Sequence, residues 1–244
     1  MQTNLEPLVS SESRPTFYRR VLSSFKHLLT LIGPWCSKRR LRHLQALVDY
    51  MKLGHWMHEH EFTFSQRVLC REDMWDVVVG QVWNQRVLYL EFGVWRGQSM
   101  RYWSRRLKHP DAVLHGFDSF EGLPEEGGPW IEGEFSTGGS VPRMDDPRVS
   151  FFKGWFDQVL PTYSIPPHDI LVINMDADLY SSTIYVLRHL RPHIKAGTYI
   201  YFDEMSHMEH EPRAFSEFMK ESKLAFRPVS GDKSLDCVFF QCIG

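Results

Sequence analysis

The chain has 244 residues, long enough to bury a sizeable core, and 43% of them are hydrophobic and 14% aromatic. A formal net charge of −2 carries no electrostatic signature of a nucleic-acid binder. Cys36, Cys70, Cys237 and Cys242 lack CxxC spacing, which speaks against zinc and against a disulfide framework and fits a reducing compartment. With no signal-peptide pattern and no run long enough to cross a bilayer, a soluble cytoplasmic protein is expected.

Residues 1–13 are polar and expected to be unstructured. From Arg14 to Arg42 no acidic residue interrupts a basic, partly apolar stretch. Phe17, Tyr18, Val21, Leu22, Phe25, Leu28, Leu29 and Ile32 recur there at helical spacing, with Arg19, Arg20 and Lys26 among them. Lys38-Arg39-Arg40-Leu41-Arg42 follows Gly33-Pro34. Two readings stay open: an interfacial helix in peripheral contact with an anionic membrane or charged partner, or a helix packed on the domain or on a second subunit. A second helix is expected from Leu41 to about Leu53, ended by Gly54. His55, His58 and His60 match no zinc signature and read as loop or surface residues. A third helix is expected from Glu72 to Val82. Residues 1–83 read as a helical extension ahead of a strand–helix domain over 84–244, and a family resemblance carried by that domain's motifs implies that the extension is a lid or a subunit contact in a homo-oligomer.

That domain alternates strand and helix. Strands are expected over 87–91, 113–118, 149–153, 170–175 and 198–202, with helices from Gln98 to Leu107, from the Ser181-Ser182-Thr183 cap to about Arg191, and from Pro212 to Leu224. The near-continuous apolar strands mean a parallel sheet covered on both faces. Two closing strands with no helix between them, Phe226–Val229 and Cys237–Gln241, predict an antiparallel last hairpin. The Gly/Pro-rich stretch from Glu121 to Pro147 is too long for a mere connection and reads as a binding loop, with Trp130, Phe135 and Ser136 placed to close over a ligand or simply to pack.

Three features carry chemistry. Gly93 and Gly97, after the first of these strands, allow a tight turn and close backbone approach to a ligand at a helix N-terminus, although the spacing is not GxGxxG. About twenty residues on, Asp118 ends the next strand, where a carboxylate can accept from both ribose hydroxyls. Asp176 and Asp178 follow the buried run Ile170–Ile173, and Asp203-Glu204 follows Tyr199–Phe202. Neighbouring strands would bring these four carboxyl groups to one sheet edge, in outline a hard-cation site. His207 and His210 follow closely and read as substrate contacts, an alternative base or a soft ligand, or else as surface histidines.

The blocks Leu90-Glu91-Phe92-Gly93-Val94-Trp95-Arg96-Gly97-Gln98-Ser99, Gly116-Phe117-Asp118-Ser119-Phe120-Glu121-Gly122-Leu123-Pro124, Lys153-Gly154-Trp155-Phe156, Asp176-Ala177-Asp178-Leu179-Tyr180-Ser181-Ser182-Thr183 and Asp203-Glu204 resemble the macrocin O-methyltransferase family. The resemblance covers roughly residues 86 to 242 and implies a Rossmann-like class I methyltransferase fold with a mostly parallel, seven-stranded sheet. It implies an S-adenosylmethionine-dependent, magnesium-dependent enzyme that methylates a hydroxyl of a sugar or glycosylated small molecule. By the same resemblance Glu91 and Gly93 line the methionine part of the cofactor, Ser99 meets its carboxylate, Asp118 holds the ribose, and Gly154 and Trp155 lie by the adenine. Asp176, Asp203 and Glu204 would bind the metal, and Asp178 would be the general base. The chain departs from the family's usual Asp-Gly-Asp and Asp-Asp at Ala177 and Glu204. Rival readings are a catechol-like phenol as acceptor, a nucleotide-dependent oxidoreductase, which the missing GxGxxG disfavours, and a non-catalytic cofactor-binding or membrane-associated scaffold.

Overall fold

A computed structural model describes residues 17–64 and 67–244. Residues 1–13, Arg14 and the side chains of Phe17, Tyr18 and Arg20 lie outside the described residues. The chain forms two compact units, divided between Leu47 and Val48.

The first unit holds helix α1 (Phe17–Ile32), a 3-10 turn at Gly33–Trp35, and the first turns of α2 (Lys38–Glu59). Helix α2 does not stop at Gly54 as the glycine suggested. A Cβ at Gly54 would meet nothing, so no backbone geometry demands a glycine there. Burial of Leu53, Trp56 and Met57 carries the helix on for another turn. His55 and His58 therefore sit on a helix rather than in a loop, and His60 in the turn that follows.

In the second unit the sheet has eight strands, one more than expected. The strands are β1 (Arg67–Val68), β2 (Val87–Phe92), β3 (Val113–Asp118), β4 (Val149–Lys153), β5 (Ile170–Met175), β6 (Tyr199–Phe202), β7 (Phe226–Asp232) and β8 (Val238–Cys242). The extra strand is β1, two residues paired parallel to β7 and too short to show a period. The order is β1-β7-β8-β6-β5-β2-β3-β4, with β8 antiparallel to both β6 and β7, so the expected last hairpin is present. Every residue of β2 and β6 is buried, Glu91 of β2 included, as near-continuous apolar runs require of strands covered on both faces.

Alternation along β2 divides the core. Leu88, Leu90 and Phe92 face one layer, with the end of α2, α6 (Tyr180–Leu190) and α7 (Glu211–Ser222). Val87 and Tyr89 face the other, with α3 (Arg71–Val82) and α4 (Gln98–Arg106). Strand β2 pairs with β3 on one side and β5 on the other, so the chain reverses its winding between β2 and β5. In such sheets the crevice at the carboxyl ends of those two strands is the ligand position.

Candidate active site

That crevice opens into a cavity of about 790 Å³. The turn after β2 comes first. Gly93 has φ +88°, and a Cβ on it would lie 1.8 Å from the Asp176 carbonyl oxygen, so only glycine lets this turn press against the end of β5. The Asp176 N–H donates to Phe92 O at 2.9 Å, tying the two strand ends together. Asp118 lines the cavity with its carboxylate already engaged. One oxygen accepts from the N–H groups of Val94 (2.8 Å) and Trp95 (2.7 Å), the other from Phe120 (2.6 Å). Its observed work is to shape the glycine turn. Ser99 and Gly93 line the cavity, whereas Glu91 is wholly buried and accepts from the hydroxyls of Ser99 (2.5 Å) and Tyr89 (2.9 Å). Burial pushes the Glu91 carboxyl up to about 8, against the pull of those two hydroxyls. Gly154 and Trp155 line the opposite wall, and the Gly154 N–H donates to Asp118 O at 3.0 Å.

All four carboxyl groups at the ends of β5 and β6 line this one cavity: Asp176, Asp178, Asp203 and Glu204. Burial, then the charges of Asp203 and Asp178, hold Asp176 well above the usual carboxylate range. Asp178 is pushed up to about 7, by burial first and then by Asp203. Glu204 is pushed up to about 8, by burial and then by Asp236 and Asp203. Ala177 is buried and does not take a positive φ; the left-handed residue of this turn is Asp178, at φ +58°. The missing family glycine therefore costs the turn nothing, since aspartate tolerates that conformation better than most residues.

The four groups share a cavity without forming a cage. Among the described residues no group of three His, Cys, Asp or Glu side chains is arranged to hold a metal ion. Asp203 instead accepts from the Tyr201 hydroxyl, lies 3.4 Å from the Cys237 sulfur, and has the Arg71 guanidinium 3.6 Å away. The donor chemistry, carboxylate oxygens crowded at one sheet edge, is that of a hard cation such as Mg²⁺. A bound cation would offset the mutual repulsion of these carboxylates beside the Arg71 guanidinium.

Arg71, Tyr201, Cys237 and Glu211 were not legible as site residues. Arg71 opens α3, far from every motif in sequence, and lines the cavity. Glu211 is wholly buried, and its carboxylate accepts the Glu204 N–H at 2.9 Å, bracing the turn that carries the second acidic pair. The serines and threonine after Asp178 do not cap α6: its N-cap is Leu179, with no side-chain bond. His210 supplies the missing acceptor, its Nδ1 lying 3.2 Å from the Tyr180 N–H. His207 and His210 are partly buried and grip Trp130, at ring distances of 4.6 and 5.3 Å. Trp130 is thus a wedge fastening the long loop, while Gly122, Leu123, Glu134 and Phe135 of that loop wall the cavity.

Residues 140–241, which carry both acidic pairs and the Gly154-Trp155 wall, match the macrocin-O-methyltransferase (TylF) family. This part of the chain is similar to the macrocin O-methyltransferase family. Demethyldecarbamoylnovobiocin O-methyltransferase of Streptomyces niveus is 29% identical over 173 residues, 62% of this chain and 64% of that one. A Streptomyces olivaceus relative, 8-demethyl-8-(2,3-dimethoxy-alpha-L-rhamnosyl)-tetracenomycin-C 4'-O-methyltransferase, is 30% identical over 140 residues, 47% of this chain and 51% of its own. The chain thus spans between half and two thirds of the curated relatives it matches. Among solved structures, the O-methyltransferase NovP has 28% identity and a TM-score of 0.54, over 71% of this chain and 78% of that chain. The calicheamicin methyltransferase CalS11, at 16% identity and TM-score 0.53, covers 99% of this chain and 98% of its own, a likeness of fold alone. The resemblance read from the sequence is borne out, and with it the Rossmann-like, mostly parallel fold.

Proposed function

We propose that the chain is an S-adenosylmethionine-dependent O-methyltransferase acting on a hydroxyl of a sugar or glycosylated small molecule, assisted by a divalent cation, Mg²⁺. The observation that carries this reading is the convergence of Asp176, Asp178, Asp203 and Glu204 on one cavity at the sheet's reversal point. The relatives named above, two of them antibiotic or sugar O-methyltransferases by name, support the acceptor class.

In this reading the cavity's glycine-turn side, with Gly93, Ser99, Asp118, Gly154 and Trp155, takes the cofactor, and Glu91 steadies Ser99 from below. Bound S-adenosylmethionine supplies an electrophilic methyl group on a sulfonium. Asp176, Asp203 and Glu204 would hold the cation, whose contribution is to acidify and orient the acceptor hydroxyl. Asp178 is the general base. Its carboxylate takes the acceptor hydroxyl's proton, so that the oxygen can accept the methyl group that a bound cofactor would supply. An ordinary carboxylate is a feeble base at neutral pH, and burial raises Asp178 to about 7, into the range where a base is both available and strong. Phe135 and the loop walls exclude water and hold the two substrates in line.

Titration calorimetry with S-adenosylmethionine, with and without Mg²⁺, followed by mass spectrometry of a panel of glycosides and diphenols, tests the assignment. Cofactor binding and methylation of a glycoside are expected. Failure to bind S-adenosylmethionine would refute the reading; methylation of diphenols alone would move the acceptor to a catechol.

A further inference from the structure

Every described side chain of α1 is solvent-exposed, although half of the helix is apolar. At 100° per residue, Val21, Leu22, Phe25, Leu28, Leu29 and Ile32 fall on one face, and Arg19, Lys26 and His27 on the other. Such a stripe ordinarily seeks a core, yet here Phe25 is 55% exposed. The helix ends at Gly33-Pro34-Trp35, where Trp35 is 87% exposed. Beyond the bend α2 begins with Lys38, Arg39, Arg40 and Arg42, separated by exposed Leu41 and followed by exposed Leu44. Between Glu12 and Asp49 there is no acidic residue at all.

We propose that α1 and the bend after it form an interfacial anchor that lies on an anionic lipid surface. The apolar face enters the acyl boundary, Trp35 sits at headgroup depth, and the basic residues meet the anionic headgroups. The charge pattern selects this occupant over a second copy of the same segment. A two-fold pairing through the apolar face would bring two positively charged, acid-free stretches within about 10 Å of each other, with no carboxylate in either to offset their repulsion. The anchor lies on the membrane rather than across it, since no helix of the described residues is long and apolar enough to span one. The consequence is that the enzyme works where its acceptor is presented at, or partitions into, a membrane surface.

The test is co-sedimentation of the full chain with phosphatidylcholine vesicles with and without phosphatidylserine, at low and high salt. Binding is expected only with phosphatidylserine, and added salt should release it. Arg19→Glu and Lys26→Glu should each lower the partition coefficient at least roughly fivefold, the weight of one basic residue near an anionic surface. The pair Phe25→Glu and Leu29→Glu should abolish binding and leave the melting transition and S-adenosylmethionine binding unchanged, because neither side chain is buried. No pelleting with phosphatidylserine, or undiminished pelleting of the Phe25→Glu/Leu29→Glu variant, overturns the proposal. So does a stable dimer in light scattering that this variant dissociates, which would give the face to a second copy.

Discussion

Asp178 is where residue-scale chemistry and backbone meet. Its φ of +58° turns the chain sharply after β5, and its carboxyl, buried among acidic neighbours, titrates near neutrality. Asp178→Asn keeps the shape and the turn and removes the proposed base. Turnover is expected to fall by about 10²–10⁴-fold with S-adenosylmethionine affinity retained, read by single-turnover kinetics and calorimetry. Gly93 makes a stricter demand. Gly93→Ala would put a methyl group 1.8 Å from a carbonyl oxygen at φ +88°, so the turn must move. A loss of at least about 2 kcal/mol of stability, together with cofactor affinity, is expected on urea denaturation. Ala177→Gly, restoring the family residue two positions before Leu179, should change stability by less than about 1 kcal/mol, because Ala177 needs no left-handed backbone.

At the scale of elements, the strands were legible and several helix ends were not. Strands β3, β4 and β5 begin and end where expected: the edge strand β4, with no buried residue, shows by its β-branched and aromatic Val149, Phe151 and Phe152, whereas near-complete burial leaves β5 little choice of residue. The acidic pairs were legible for the same reason, since a polar residue after such a run marks the strand's end. What the sequence hid was decided at long range. Gly54 is a helix-stop signal overruled by the burial of Trp56 and Met57, and Ser181 is a capping signal overruled by an imidazole thirty residues away, His210. The clasp of His207 and His210 on Trp130 joins residues about eighty apart, and no local pattern announces it. That clasp predicts a lid held by one wedge. Trp130→Ala should raise cleavage by a glutamyl endopeptidase at the exposed Glu125, Glu126 and Glu132 by more than tenfold, while the core transition moves little. Equal cleavage of variant and wild type would mean the loop is held elsewhere.

For the molecule as a whole, buried carboxyl groups burden stability. Glu91 holds its proton up to about pH 8 when folded, against 4.5 for the ordinary group, so the unfolded chain binds fewer protons between those values. Stability must fall as pH rises through that window, and Glu91→Gln should flatten the fall in denaturation midpoints measured without divalent ions. The two compact units set a second whole-molecule expectation. Since the division lies between Leu47 and Val48, a chain beginning at Val48 should melt cooperatively and bind S-adenosylmethionine as the full chain does. A chain beginning at His60 should not. It loses Leu53, Trp56 and Met57 from the core layer under α7, and with them the hydrogen bond from Trp56 Nε1 to Ser216 Oγ at 2.7 Å. Trp56→Ala alone, at 7% exposure, should cost about 3–5 kcal/mol, so the larger truncation removes more than a small domain's usual margin. If both truncations melt alike, the end of α2 is dispensable to the core. If the shorter deletion already unfolds the chain, the folded unit begins further toward the N-terminus than Val48.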